Sequence, residues 1–130
     1  MRYLVCLVVG LLFGAIAASM LVGALSRRDA WPRAVMTVMQ HELGAARNAV
    51  QAGTCQGEAS RAAHARLELL ATDIERSVLP PGTRDRVFSQ YADQLATAIA
   101  AWDPGAGCAE QASRLAAVAQ ACDACHRDYR

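Results

Sequence analysis

The chain has 130 residues, 54% of them hydrophobic, and a net charge of +1 from 13 basic and 12 acidic side chains. The two signs are interspersed along the chain, which argues against a nucleic acid or another polyanion as partner. Residues 3–25 carry no charge, so about 100 residues remain for a soluble core, enough for one small domain and not for two.

The N-terminus reads as an export or anchoring element. Arg2 supplies a short positive start, and the mostly apolar residues 3–25 follow. A signal-peptide core usually takes about 7–15 residues, whereas a membrane-spanning helix needs about 20. The length favours a retained anchor over residues 1–28, with the soluble domain at 29–130. Ala15-Ile16-Ala17 offers a small-residue cleavage site as the alternative, although cleavage there leaves the apolar residues 20–25 on the mature chain. Arg27 and Arg28 follow the run and weaken the charge argument for an anchor with its N-terminus inside. Both routes carry the soluble part to the periplasmic side of the inner membrane, an oxidising compartment. Cys6 reads as a small hydrophobe of the apolar run.

Four helical stretches separated by turn signals come next. The first covers 29–52, with Pro32 in its first turn, where proline is tolerated. Met36, Met39, Leu43, Ala46 and Val50 recur at spacings of three and four, the pattern of a core-facing stripe. The second covers 60–79, with Leu67, Leu70, Ile74 and Val78 inward, and stops at Pro80-Pro81-Gly82. The third covers 83–102, with Phe88, Tyr91, Leu95, Ile99 and Trp102 on one face, and ends at Asp103-Pro104-Gly105. The fourth runs from 108 to the C-terminus. Such a series predicts an all-α domain: an antiparallel up-down-up-down four-helix bundle, preceded by the hydrophobic N-terminal helix.

The segment Cys122-Asp123-Ala124-Cys125-His126 carries the chemistry. Two cysteines three apart with a histidine directly after the second form the c-type haem attachment pattern. The two thiols add across the haem vinyl groups as thioethers, and His126 is then placed to take one axial position on the iron. Three other readings compete. A thioredoxin-like pair follows a strand, and residues 108–121 are an alanine-rich helical stretch. A zinc site needs two further ligands, and Cys55, Cys108, His41 and His64 are scattered singly. A disulfide between helix positions i and i+3 is geometrically awkward. In the fourth stretch Leu115, Val118, Cys122, Cys125 and Tyr129 share the three-and-four rhythm, which turns the cysteines toward the core.

The C-terminal Cys122-x-x-Cys125-His126-x-x-Tyr129-Arg130, together with Met36-Thr37-Val38-Met39 and Gly44, resembles the class II c-type cytochromes, cytochrome c′ and its low-spin, methionine-ligated relatives. The resemblance extends over about residues 30–130, with the middle helices matching only in pattern and a soluble part shorter than is usual. It implies one haem c in a four-helix bundle, with His126 as proximal ligand and Met36 on the distal side of the iron. A methionine there implies His/Met ligation and single-electron transfer, because thioether ligation favours reduced iron. Ordinary core filling is the plain alternative for Met36, and Met39, one turn on, is the other candidate. Arg33 resembles the family's arginine near the haem propionates, and Arg130 the basic residue beside the proximal imidazole. Homodimers through the first two helices are common in the family.

In an antiparallel bundle Met36 and His126 lie at one end, and the loops holding Cys55 and Cys108 meet at the other. A Cys55–Cys108 disulfide follows as an expectation. His41 is expected on the surface, His64 on the outer face of the second helix, and Asp123, Arg127 and Asp128 on a solvated edge. No nucleophile, base and oxyanion constellation is visible, so an enzyme is not expected. The expected function is electron carriage to redox partner proteins. The alternatives are a five-coordinate cytochrome c′ that binds nitric oxide or carbon monoxide, and an accessory haem subunit of a membrane complex.

Overall fold

A computed structural model describes residues 2–28 and 30–129, and the side chains of residues 3, 7–23 and 30–129. The protein is all-helical, with no strand among the described residues. Its elements are α1 (Arg2–Arg28), α2 (Ala30–Gln51), α3 (Glu58–Thr72), α4 (Ile74–Val78), α5 (Arg86–Ala100) and α6 (Cys108–Asp128). The chain divides into two compact units, Met1–Arg33 and Ala34–Arg130.

In the first unit, α1 exposes large apolar side chains all around its axis, among them Leu7, Leu11, Leu12, Phe13, Ile16 and Met20. Among the described residues, no helix is long and apolar enough to cross a membrane. The expectation of a membrane anchor over residues 3–25 therefore has no spanning helix behind it. Cys6 and residues 24–28 lie outside the described side chains.

The second unit is built on the predicted stripes, although Val50, Leu70, Val78 and Tyr91 are only partly buried. On α2 the buried face is Val35, Met39, Leu43 and Ala46, and Met36 is only partly buried beside it. The predicted second helix is broken at Asp73 into α3 and α4. Thr72 and Asp73 are poor helix formers whose polar groups bond locally: the Thr72 hydroxyl donates to the Leu69 carbonyl at 2.7 Å and the Ser77 hydroxyl to the Asp73 carbonyl at 2.9 Å. The break still leaves Ile74 buried with Leu67 and Ala71. α5 packs against both α3 and α6, and α4 against α3 and α5. Trp102, Phe88, Leu67, Ile99 and Leu115 are the largest fully buried apolar side chains, and each contributes roughly 1.5–3 kcal/mol by leaving water.

Chain reversals use the residues their backbone requires. Gly53 sits at φ 73° just past α2, and the Thr54 amide reaches back to the Ala49 carbonyl at 2.9 Å, a Schellman stop that favours glycine. Gly82 holds φ 80° after Pro81, and the Thr83 amide donates to the Pro80 carbonyl at 3.0 Å, a type II turn. α5 starts at Arg86, three residues later than expected. Asp85 caps it, its Oδ1 accepting from the Val87 and Phe88 amides at 2.9 and 3.1 Å.

The loop between α2 and α3 is tied to the start of α6. Cys55 and Cys108 form a disulfide with Cα atoms 5.5 Å apart. Gln111, fully buried beside it, completes the knot. Its Oε1 accepts from the Ser60 hydroxyl and the Trp102 indole N–H, both at 3.1 Å. Its Nε2 donates to the Cys55, Pro104 and Ala106 carbonyls at 3.1, 3.0 and 2.8 Å. One side chain thus satisfies polar groups from two loops and from α3 in a region closed to water.

α2 and α3 are also clamped by charge. The Arg66 guanidinium contacts both Glu42 carboxylate oxygens, at 3.0 and 3.2 Å. Glu42 is 7% exposed, and a carboxylate buried to that degree requires such a partner.

Candidate functional site

α6 sinks its middle and lifts its end. Leu115 and Val118 are buried, Cys122 and Cys125 partly so, and His126 is exposed. The sequence cause is the change from aliphatic to thiol and polar residues along one stripe. Opposite them, Met36, Met39, Gln40, Leu43 and Arg47 lie along one face of α2. The two faces border a cleft of about 310 Å³. Leu67, Ile74, Leu95 and Val118 supply apolar walls, and Asp123 lies on the rim.

Met36, Cys122, Cys125 and His126, predicted from separate segments, therefore line one space. Met39 shares it but is 6% exposed and belongs to the core. Arg33 is exposed at the end of the first unit, and Arg130 lies outside the described residues. Gln40 and Arg47 were missing from the predicted site. The spacing 36, 40, 43, 47 places both on the face of Met36, a signal that a search for apolar residues alone passes over. His41 is exposed as expected. His64 is not on an outer face: it is partly buried, its Nε2 3.2 Å from the Ile99 carbonyl and its ring packed edge-on against Trp102 at 5.2 Å.

Cys122 and Cys125 are both free thiols. Burial pushes the Cys122 thiol above its ordinary value; Asp123 and Cys125 add to the rise and Arg47 opposes it. Burial, then Asp128, raises Cys125 in the same direction. Both are protonated at neutral pH, and the thiol is a far weaker nucleophile than the thiolate. In the folded protein each thiol is expected to alkylate more slowly at pH 7 than an unhindered cysteine. Mass-resolved iodoacetamide labelling checks this, and denaturant should abolish the difference.

A tyrosine pair braces the end of α6. The Tyr129 hydroxyl donates to Asp85 Oδ2 at 2.8 Å, and the Tyr91 hydroxyl donates to Asp128. Tyr129 also packs edge-on against Phe88, with ring centroids 5.2 Å apart. Asp85 thus caps α5 with one oxygen and holds Tyr129 with the other. The Tyr129 hydrogen bond, ahead of the Phe88 amide, lowers the Asp85 pKa, and the same bond pushes Tyr129 up to about 12. The Tyr129 contribution to stability is complete below its unfolded value near 10 and is lost as pH rises toward 12. That of Asp85 is complete above its unfolded value near 4 and is lost as pH falls through the depressed folded value. Urea denaturation across pH is expected to show a plateau with both limbs, and Tyr129→Phe should flatten the alkaline one.

A four-ligand zinc site needs more than Cys122, Cys125 and His126, and the described residues contain no group of three or more His, Cys, Asp or Glu placed to hold a bare metal ion. No known protein family, curated protein or solved structure matches this chain.

Proposed function

We propose that the chain is an exported c-type haem protein that carries single electrons, with one haem bound covalently through Cys122 and Cys125 and its iron held by His126 and Met36. One observation carries the reading: two unbridged thiols, an imidazole and a thioether line one apolar-walled cleft. That donor set fits the group, because a haem brings four ring nitrogens and asks only one or two axial ligands of the protein.

Bound there, haem supplies a reversible one-electron iron couple. The chain supplies the rest. Cys122 and Cys125 fix the cofactor's edge against α6, and His126 is held one residue beyond. The Met36 thioether favours the reduced state. Leu67, Leu95 and Val118 keep water from the cleft, so less solvent must reorganise when the charge changes. The proposed arrangement is an antiparallel up-down-up-down four-helix bundle, with α3 and α4 forming one leg. Cys108 precedes Cys122 by about 21 Å of helix, which separates the disulfide end from the cleft.

Export is supported by the Cys55–Cys108 disulfide, since such bonds persist in oxidising compartments. The bare apolar surface of α1 supports attachment at the periplasmic face of the inner membrane; cleavage would instead leave a soluble periplasmic form. Redox proteins, or a membrane complex, are the proposed partners.

The optical spectrum tests the reading. Protein from a host able to attach haem is expected to carry the mass of one haem and to give sharp reduced bands that ignore carbon monoxide. A high-spin reduced spectrum that shifts with carbon monoxide would replace it with a gas-binding cytochrome in which Met36 only packs. Co-purification with a membrane complex, lost when residues 1–25 are removed, would make the chain an accessory haem subunit. A mature mass without haem would overturn the proposal.

A further inference from the structure

The end of α6 carries a phenol beside the cleft with a base already in place. Tyr129 stands one helical turn past Cys125, its amide donating to the Cys125 carbonyl at 2.9 Å. Its hydroxyl donates to Asp85 Oδ2 at 2.8 Å, and the Tyr91 hydroxyl donates to Asp128. The two phenol rings meet edge to face with centroids 6.1 Å apart. Their carboxylate hydrogen bonds are the first cause that raises both phenols, and Cys125 adds to each rise. Both phenols therefore lie within electrostatic reach of the thiol edge of the cleft. Trp102 is the contrast: its indole N–H donates to the Gln111 amide oxygen, which is too weak a base to take the proton.

A phenol gives up one electron far more readily when its proton leaves in the same step, because the bare radical cation is a strong acid. A carboxylate on the hydroxyl supplies that route. Asp85 is ionised at neutral pH, its carboxyl held below the ordinary value first by the Tyr129 bond and then by the Phe88 amide. The second phenol, in ring contact and itself bonded to a carboxylate, extends the route away from the cleft.

We propose that Tyr129 and Tyr91 form a one-electron relay that carries oxidising equivalents from the Cys125 edge of the cleft to the surface. A one-electron oxidant at the cleft, such as a peroxide-derived radical, takes an electron from Tyr129. The Tyr129 O–H bond breaks and the proton passes to Asp85 Oδ2. Tyr91 then gives an electron to Tyr129, which recovers its proton from Asp85, while the Tyr91 proton moves to exposed Asp128. A soluble one-electron reductant refills Tyr91, and its proton returns from Asp128. Only side chains of this chain take part, so the relay stands apart from the haem reading.

The test is flash photolysis of the full chain at pH 7 with a photogenerated ruthenium(III) tris-bipyridine oxidant. Tyr91→Phe, which leaves Tyr129 as the phenol at this site, is expected to form tyrosyl radical about a hundredfold faster than free tyrosine, as a positioned base supplies. Adding Asp85→Asn should return the rate to that of free tyrosine. Helical circular dichroism should survive, because asparagine caps a helix as well as aspartate does. Tyr129→Phe in the otherwise wild-type chain should raise the fraction of oxidised sulfur at Cys125, read by peptide mass. A Tyr91→Phe rate equal to free tyrosine overturns the proposal, and so does a fast rate that persists in Tyr91→Phe/Asp85→Asn. Equal oxidation of Cys125 with and without Tyr129 overturns it too.

Discussion

Replacing Cys55 and Cys108 together by serine is expected to remove about 4 kcal/mol of stability, close to 20 °C in melting temperature for a domain of this size. The cysteines are 53 residues apart in sequence, so the bridge closes a long loop in the unfolded chain. The chain-entropy relation for a loop of that length gives the 4 kcal/mol figure. The folded state has less reason to change. Gln111 still binds the Cys55, Pro104 and Ala106 carbonyls and still receives the Ser60 and Trp102 donors. The double-serine protein should therefore keep its helical circular dichroism at 20 °C and lose its margin only on heating or in urea. A loss below about 1 kcal/mol would mean that the unfolded chain already confines these loops. Outright unfolding at 20 °C would mean that the buried knot depends on the bridge and not on Gln111.

The second large effect concerns the proposed haem. In haem-loaded protein, Met36→Ala is expected to convert a reduced spectrum indifferent to carbon monoxide into one that responds fully to it. If the thioether holds the sixth position by about 3 kcal/mol, the open form is below a hundredth of the population, and removing it raises apparent affinity about a hundredfold. Met36 is only partly buried at the edge of the core, so the substitution should leave the fold intact. Met39→Ala is the control. That side chain is 6% exposed and its truncation should cost about 2–5 kcal/mol in stability while leaving carbon monoxide binding as in wild type. The reverse pattern would make Met39 the ligand, and no change in either variant would remove thioether ligation from the reading.

The helices were legible residue by residue because their cause is local. Leu67 and Ile74 on one stretch, Leu95 and Ile99 on the next, and Leu115 and Val118 on the last recur at helical spacing, and all six are buried. Gly53 and Gly82 stand where positive φ is required, and Pro81 presets the turn before Gly82. Asp73 shows the limit of that reading. An apolar stripe running through it hides a break that depends on whether Thr72 and Ser77 bond locally. His64 shows another: its helical position is common to an outer and a half-inner face, and Trp102, thirty-eight residues away in sequence, determines which is occupied.

By itself the sequence determined the all-helical class, the pairing of two thiols with the adjacent imidazole, and the absence of a strongly charged surface, since each depends on composition or on neighbours within a few residues. Only the tertiary structure decided that Met36 and Arg47 meet Cys122, Cys125 and His126 across one cleft, that Gln111 is the buried knot beside the disulfide, and that Asp85 binds Tyr129 while capping α5. Each depends on a contact between residues dozens of positions apart, such as Gln111 with Cys55 and Ser60 or Asp85 with Tyr129, and such contacts are set by how helices pack, which helical periodicity leaves open.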